Sequence, residues 1–251
     1  MPDLTFEPVD ETAFDDIPDP AEPGARCQTC DYWERIDGGR DAPDAEATDA
    51  SARTALKRRR LLAGQGVSGS YGMLAYRTDA VQRLPVGYAQ FGPLSAYPRA
   101  QVIRDRYPQL PESPSPWVIT CLQVSPGAED RAGAGTALLE AVCADLDRRG
   151  IIAVEAYPER AADAWLPSAG PASVYEAAGF ARAAGDDRFP VYRRELTGET
   201  DAEAWSGLIR ASQPDDEDDE WPLPLPPTRN PDDLFRLPPE KPKRPNPFGD
   251  D

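Results

Sequence analysis

The sequence predicts a mixed α/β (α+β) fold, a twisted mixed sheet flanked by helices, and three observations lead to that prediction. Short apolar runs typical of strands alternate with longer amphipathic segments typical of helices through the middle of the chain. Residues 118–150 combine an apolar strand, a glycine-bearing turn and a long amphipathic helix. Both ends are strongly acidic, and the C-terminal end is also rich in proline, so we expect one folded domain between two flexible arms.

The first half of the domain is predicted to contain three strands, one helix and a long loop. A basic run at 57–60 closes the helix, where cations suit the helix dipole. We expect this run to be solvated, and contact with the phosphate of a ligand or with an acidic partner is the alternative. The loop contains several prolines and has a length at which loops commonly carry function. In order, these elements are an edge strand at 27–34, the helix at 45–62, strands at 71–76 and 85–91, and the loop at 94–116.

The second half carries the strongest signals. The strand at 118–124 is apolar and partly β-branched, and prolines flank it on both sides. Gly133 and Gly135 stand where the next helix is predicted to begin, and apolar residues then recur at the spacing of one helical face up to Gly150, a typical helix stop. A strand at 151–156, a helix at 173–178 and a strand from Phe180 complete the predicted order.

Two glycines at a helix start allow a ligand to approach the backbone closely, because they carry no Cβ. The first-turn N–H groups lack partners within the helix and lie at the positive end of its dipole, an arrangement that suits a phosphate or pyrophosphate. The alternative is that Gly133 and Gly135 only permit tight packing. Glycine spacing by itself does not decide between the two.

The segment from Gly133 to Leu139 resembles motif A of the GCN5-related N-acetyltransferases, in which a strand is followed by Q/R-x-x-G-x-G/A at the start of a helix. Asp130 stands at the position of the family's Gln or Arg, and Arg131 comes one residue later. Residues 173–180 resemble the family's later helix, which ends in Y-E-x-x-G-F. The resemblance covers roughly residues 26–196, and its specific motifs lie between Trp117 and Phe180.

This resemblance implies an enzyme that transfers an acetyl group from acetyl-CoA to an amine. Tyr175 stands where the family often places the general acid near the CoA sulfur, and a tyrosine that only packs in the core is the alternative. Glu155 is the candidate general base, and a charge at a strand end is its alternative. The resemblance places the cofactor along the backbone of the strand and the turn after it, at Leu122, Val124, Arg131, Ala132, Gly133, Ala134, Gly135 and Thr136.

Composition sets the domain limits and excludes some partners. The formal net charge is −17 in 251 residues, and most of this net negative charge lies in the two ends of the chain. We expect a flexible acidic arm over 1–22, an acetyltransferase-like domain over 23–199, and a disordered acidic, proline-rich tail over 200–251 that could bind a protein partner. The acidic balance argues against nucleic acid as a partner. No apolar run is long enough to span a bilayer and no secretory signal is recognisable, so we expect a cytoplasmic protein.

The four cysteines are expected to be reduced, packed side chains of a cytosolic protein. Cys27 and Cys30 form a C-x-x-C, for which redox sensing is the alternative. Structural zinc usually takes four Cys or His ligands, and this chain has no histidine, so no metal is expected.

Three functions are compatible with these patterns. We favour an acetyl-CoA-dependent N-acetyltransferase acting on an amine of a small molecule or a protein. The second is a degenerate domain that binds acyl-CoA or a protein partner, which Asp130 supports because a carboxylate near pyrophosphate is repulsive. The third is a redox-responsive regulator using Cys27 and Cys30.

Overall fold

A computed structural model of the chain describes residues 4–20, 26–35, 50–78, 82–112, 115–158, 170–187 and 190–197. Within these residues seven strands form one sheet in the order β1-β2-β3-β4-β5-β7-β6. The strands are β1 (Leu4–Pro8), β2 (Gly72–Thr78), β3 (Arg83–Pro93), β4 (Trp117–Val124), β5 (Ala153–Ala156), β6 (Ala181–Gly185) and β7 (Pro190–Glu195). The helices are α1 (Ala50–Leu61), α2 (Pro98–Arg104), α3 (Arg131–Arg148) and α4 (Ala172–Ala177).

The sheet is antiparallel except where β4 pairs with β5, which run parallel. A parallel pair needs a crossover connection, and α3 supplies it between these two strands. The predicted fold class, a mixed α/β sheet flanked by helices, is therefore confirmed.

Helices cover both faces of the sheet, and a hydrophobic cluster lies on each. One cluster joins the sheet to α3 and α4, with Leu138 and Val174 among its buried members. The other joins it to α1 and α2, with Leu61 and Ala100 among its members. We call these the α3/α4 face and the α1/α2 face.

The N-terminal prediction needs correction. The predicted edge strand at 27–34 contains instead a 3-10 turn, Cys27–Thr29, and the sheet edge is β1, which pairs with β2. Leu4 and Phe6 are half-buried against the core while their neighbours are exposed, the alternation of a half-buried strand. Since β1 belongs to the sheet and Phe14 is fully buried after it, the expectation of a flexible acidic arm is wrong for residues 4–20.

Three other elements differ from the prediction. The predicted loop at 94–116 includes α2, which Pro98 can start because its missing N–H would have no helical partner at that position. Two strands, not one, follow α4, and β7 inserts between β5 and β6. Lys57, predicted to be solvated, is only 3% exposed. The predicted tail at 200–251 lies outside the described residues.

Candidate functional site

The sheet opens where β4 and β5 part. The two strands pair only from Trp117 to Ile119 on β4, opposite Val154 to Ala156 on β5. Beyond Ile119, β4 continues to Val124, whereas β5 has ended. Among the described residues, the 120–124 stretch of β4 therefore has no strand on its β5 side. The predicted cofactor contacts Leu122 and Val124 lie on this open edge, and both are buried.

A β-bulge marks the point where the strands part. Gln90 of β3 is opposite Cys121 and Phe91 is opposite Ile119, so Thr120 is an extra residue on β4. Its hydroxyl donates to the Gln90 carbonyl at 3.3 Å. A bulge bends the strand and redirects its side chains, and bulges are frequent next to active sites.

The α3 helix begins two residues earlier than predicted, and a carboxylate caps it. Asp130 is the N-cap, and its Oδ1 accepts the Gly133 N–H at 2.8 Å. A Cβ on Gly133 would lie 2.2 Å from Asp130 Oδ2, so the glycine gives the cap its room. At the helix start where pyrophosphate was predicted, the chain thus supplies its own negative charge.

The predicted cofactor residues of this first turn fall into two groups. Ala134 and Gly135 are buried inside the domain. Ala132 is exposed, and the Thr136 hydroxyl donates to its carbonyl at 3.1 Å. Arg131 turns towards β4, where its Nε donates to the Val124 carbonyl at 2.8 Å, and burial lowers the pKa of its guanidinium. This bond ties the helix start to the end of the open edge.

Tyr175, the predicted general acid, lies on α4 and is fully buried. Its ring makes an edge contact with Phe180 and stacks on Tyr192, with centroids 5.3 Å and 6.4 Å away. Burial raises the pKa of the phenol well above its usual value, so the hydroxyl keeps its proton. Among the described residues the hydroxyl has no hydrogen-bond partner, which is costly for a buried polar group and leaves the proton available to a ligand.

Gly170, which no sequence pattern singled out, connects α4 with the open edge. It has a φ of +76°, a conformation that favours glycine. A Cβ at this position would lie 3.2 Å from the Leu122 side chain and 3.3 Å from its carbonyl oxygen. The chain that enters α4 therefore passes directly against the backbone of β4.

Glu155, the predicted base, points to the opposite face of the sheet from Tyr175. It is fully buried, and its neighbours Val154 and Ala156 belong to the α3/α4 cluster, so strand alternation places Glu155 on the α1/α2 face. The structure does not bring the two predicted catalytic side chains together.

Both carboxylate oxygens of Glu155 are already bonded. Arg193 Nη1 donates to Oε1 at 2.7 Å, while Arg104 Nε and the Tyr157 hydroxyl donate to Oε2 at 3.0 Å each. These bonds hold β5, β7 and α2 together. A buried carboxylate held between two guanidinium groups fits a structural ion pair better than a proton acceptor for a substrate.

The α1/α2 face also contains a buried polar cluster that the sequence did not reveal. Lys57 Nζ lies 2.9 Å from Glu34 Oε1, and both side chains are less than 5% exposed. Gln90 Nε2 donates to the same Glu34 oxygen at 2.9 Å, and Lys57 donates to Gln90 Oε1. Burial opposes ionisation of Glu34, but the charge and hydrogen bond of Lys57 outweigh it and lower the pKa of the carboxyl.

All four cysteines are free thiols, in agreement with the reduced state expected for them. Cys27, Cys121 and Cys143 are buried, and Cys30 is half-buried. Burial raises the pKa of the Cys27 thiol to about 12. Across the described residues, no group of three or more Cys, Asp or Glu side chains could hold a metal ion.

No helix in the described part of the chain has the length and apolar character needed to cross a membrane.

No protein-family model matches the chain, and no curated protein matches it in sequence. Its fold is similar to an N-acetyltransferase from Staphylococcus aureus Mu50, at 11% identity and a TM-score of 0.42, over 78% of this chain and 99% of that one. It is similar to the histone acetyltransferase HPA2 and related acetyltransferase from Corynebacterium glutamicum, at 19% identity and a TM-score of 0.42, over 78% and 98% of the two chains.

A third solved structure is yncA of Salmonella typhimurium with its cofactor acetyl-CoA, at 16% identity and a TM-score of 0.42, over 77% of this chain and 94% of that one.

Proposed function

We propose that this chain is an acetyl-CoA-dependent N-acetyltransferase, which transfers the acetyl group from the CoA thioester to a primary amine of a small molecule or a protein. One observation carries the proposal: the open edge of β4 from Thr120 to Val124, bordered by the segment that leads to Tyr175. An open strand edge offers N–H and C=O groups that an extended ligand can pair with as an added strand. The pantetheine arm of acetyl-CoA contains amides and suits such pairing.

Each step then has a group on this chain. The backbone N–H of Leu122 would donate to the thioester oxygen as negative charge develops there. The amine nitrogen forms a bond to the carbonyl carbon while the carbon–sulfur bond breaks, and the Tyr175 hydroxyl gives its proton to the leaving sulfur. Because Glu155 is held by two arginines, we assign the loss of the amine proton to water, from which the Tyr175 oxygen regains a proton to complete the cycle.

The residues fit the two ends of acetyl-CoA unequally. The open edge fits the pantetheine arm, whereas the Asp130 carboxylate takes up the Gly133 N–H that a pyrophosphate would use. The phosphates would therefore lie towards Arg131, Ala132 and Thr136.

The Asp130 cap supports a second candidate function, a domain of this fold that no longer catalyses transfer and instead binds an acyl-CoA or a protein partner. Repulsion between this carboxylate and pyrophosphate would weaken cofactor binding. The acidic, proline-rich tail at 200–251 would then supply contacts to the partner.

The two candidates are separated by titrating acetyl-CoA into the protein in a calorimeter and then measuring CoA release against a panel of amines. Binding with amine-dependent release supports the enzyme, and binding without release supports the second candidate. Absence of binding contradicts the enzyme and leaves only the form of the second candidate that binds a protein partner.

Two threonine variants test where the phosphates lie. Thr136→Glu adds a negative charge at the start of α3 and is expected to weaken acetyl-CoA binding at least about tenfold by charge repulsion. Thr54→Glu is the matched control, because Thr54 likewise bonds the carbonyl four residues before it but lies on α1. Equal binding by both variants would contradict the proposed cofactor position.

A further inference from the structure

The buried cluster of Glu34, Lys57 and Gln90 lies next to the point where the sheet opens. Gln90 faces Cys121 across β3 and β4, and its carbonyl accepts from Thr120, the bulged residue. The carboxylate of Glu34 is bonded to the Gln90 amide and is therefore held beside the bulge.

The chain segment that carries Glu34 also reaches the end of β5. The ring of Trp33 lies 6.4 Å from that of Tyr157, the residue that directly follows β5. On α2, the Arg99 N–H donates to the Trp33 carbonyl at 3.3 Å. This segment therefore extends from the bulge of β4 to the end of β5, on the α1/α2 face.

One oxygen of Glu34 is left without a hydrogen-bond donor. Lys57 and Gln90 both donate to Oε1. The other oxygen, Oε2, is buried and receives no hydrogen bond from the described residues. Trp33 directly precedes Glu34 in the chain, and its indole N–H is also buried. This N–H has no hydrogen-bond acceptor among the described residues. A buried carboxylate oxygen without a donor is unfavourable and is expected to find one when a ligand binds.

The charges of the cluster favour a neutral donor. The ammonium of Lys57 balances the carboxylate of Glu34, and the Arg60 guanidinium adds a further positive charge that acts on it, so the surroundings do not favour a cationic ligand. A neutral amine is also the form that attacks a thioester, because its nitrogen keeps its lone pair.

We propose that Glu34 Oε2 accepts an N–H of the acceptor amine, which places the acceptor on the α1/α2 face at the Thr120 bulge. This inference rests on the proposed transferase function. Lys57 is a positioning residue: it holds Oε1 and so keeps the other oxygen available. Glu34 is then a residue that binds and orients the substrate, and Tyr175 acts on the leaving group from the other face.

The test is steady-state kinetics of the Glu34→Gln variant with the best amine of the panel. A glutamine keeps the volume of Glu34 but replaces one oxygen by an NH₂ donor, which repels the N–H of the amine. We expect the KM for the amine to rise at least tenfold, with an unchanged Kd for acetyl-CoA in calorimetry. An unchanged KM would overturn the inference.

Two further variants separate recognition from folding. The double variant Glu34→Gln/Lys57→Met removes both charges of the pair together, and a buried pair can often be replaced by residues of similar volume. It is expected to fold and to show the same rise in KM. Asp145→Asn removes another buried carboxylate, which lies on α3 and pairs with Arg149, and is expected to lower thermal stability without raising the KM.

The wild type distinguishes failure of this inference from failure of the proposed function. Turnover by wild type with an unchanged KM in the folded double variant overturns the role of Glu34 alone. Absence of turnover by wild type with every amine overturns the transferase and the inference together.

Discussion

At the scale of single residues, the substitution Tyr175→Phe tests whether the Tyr175 hydroxyl is catalytic or only packs in the core. Its hydroxyl is buried and makes no hydrogen bond within the described residues, so removing it breaks no contact there. We expect Tyr175→Phe to leave the midpoint of thermal unfolding unchanged or slightly raised, because an unpaired buried polar group is lost. If the hydroxyl protonates the leaving sulfur, kcat for CoA release should fall about 100-fold, the lower end of the range for general acid catalysis.

Tyr88 provides the matched control for this substitution. It is also fully buried with an unbonded hydroxyl, but it belongs to the cluster of the α1/α2 face. Tyr88→Phe should have the same small effect on stability and leave kcat unchanged. Equal kcat values for the two variants would assign Tyr175 a packing role.

The thiols allow a second residue-scale prediction. Alkylation requires an exposed thiolate, and burial raises the pKa of Cys27 to about 12 and that of Cys143 to about 11. Cys30 is the only half-buried cysteine, the other three being buried. We expect iodoacetamide at pH 8 to modify Cys30 first in the native protein, as read by peptide mass spectrometry. Modification of Cys27 at the same rate would contradict the described packing of this turn.

At the scale of elements, the start of α3 serves two competing purposes. The Asp130 cap stabilises the helix by accepting the Gly133 N–H, and the same charge opposes a phosphate at that position. Asn caps a helix as well as Asp and carries no charge. We therefore expect Asp130→Asn to keep thermal stability and to tighten acetyl-CoA binding severalfold in calorimetry.

Removal of the cap distinguishes the stabilisation of α3 by Asp130 from the effect of its charge on the phosphates. Asp130→Ala should destabilise the protein by about 1 kcal/mol, the usual cost of losing an N-cap. If Asp130→Asn binds acetyl-CoA no more tightly than wild type, the carboxylate does not face the phosphates.

The elements that the sequence predicted well are those with strong local patterns. The β4–α3–β5 unit combines an apolar strand, a helical period sustained over 18 residues, and glycine at the helix end. In contrast, β1 has five residues within an acidic stretch, and α2 has seven among prolines, so their local signals were weak.

The candidate site was predicted only in part, for the same reason. Its backbone elements follow from local sequence, but Glu34 lies in a turn, Lys57 on α1 is 23 residues further on, and Gln90 lies on β3. Only the packing of α1 against the sheet brings them together. The bonding of Glu155 to Arg104 and Arg193 likewise depends on β7 and α2, two elements that were not predicted.

At the scale of the whole molecule, the Glu34–Lys57 pair should make global stability depend on pH. The pKa of Glu34 is lowered: its burial favours the neutral acid, but Lys57 outweighs that effect. The pKa of Lys57 is raised: its burial favours the neutral amine, but Glu34 outweighs that effect. A lowered acid pKa stabilises the fold above the unfolded value of about 4.3, and a raised lysine pKa does so below about 10.4.

The contribution of the pair to stability is therefore constant at neutral pH. It is lost in acid, as the pH falls through the folded-state pKa of Glu34. It is also lost in alkali, as the pH rises through the folded-state pKa of Lys57. Breaking a buried pair costs about 3 kcal/mol or more, so Glu34→Gln should lower the free energy of unfolding by about that amount at pH 7. The difference from wild type, measured by urea unfolding, should shrink as the pH falls below 4. Glu7→Gln, which breaks the exposed pair with Arg83, should change the free energy of unfolding far less than Glu34→Gln does at pH 7, because solvent screens exposed charges. A Glu34→Gln penalty that stays constant down to pH 3 would show that the charge of this carboxylate does not support the fold.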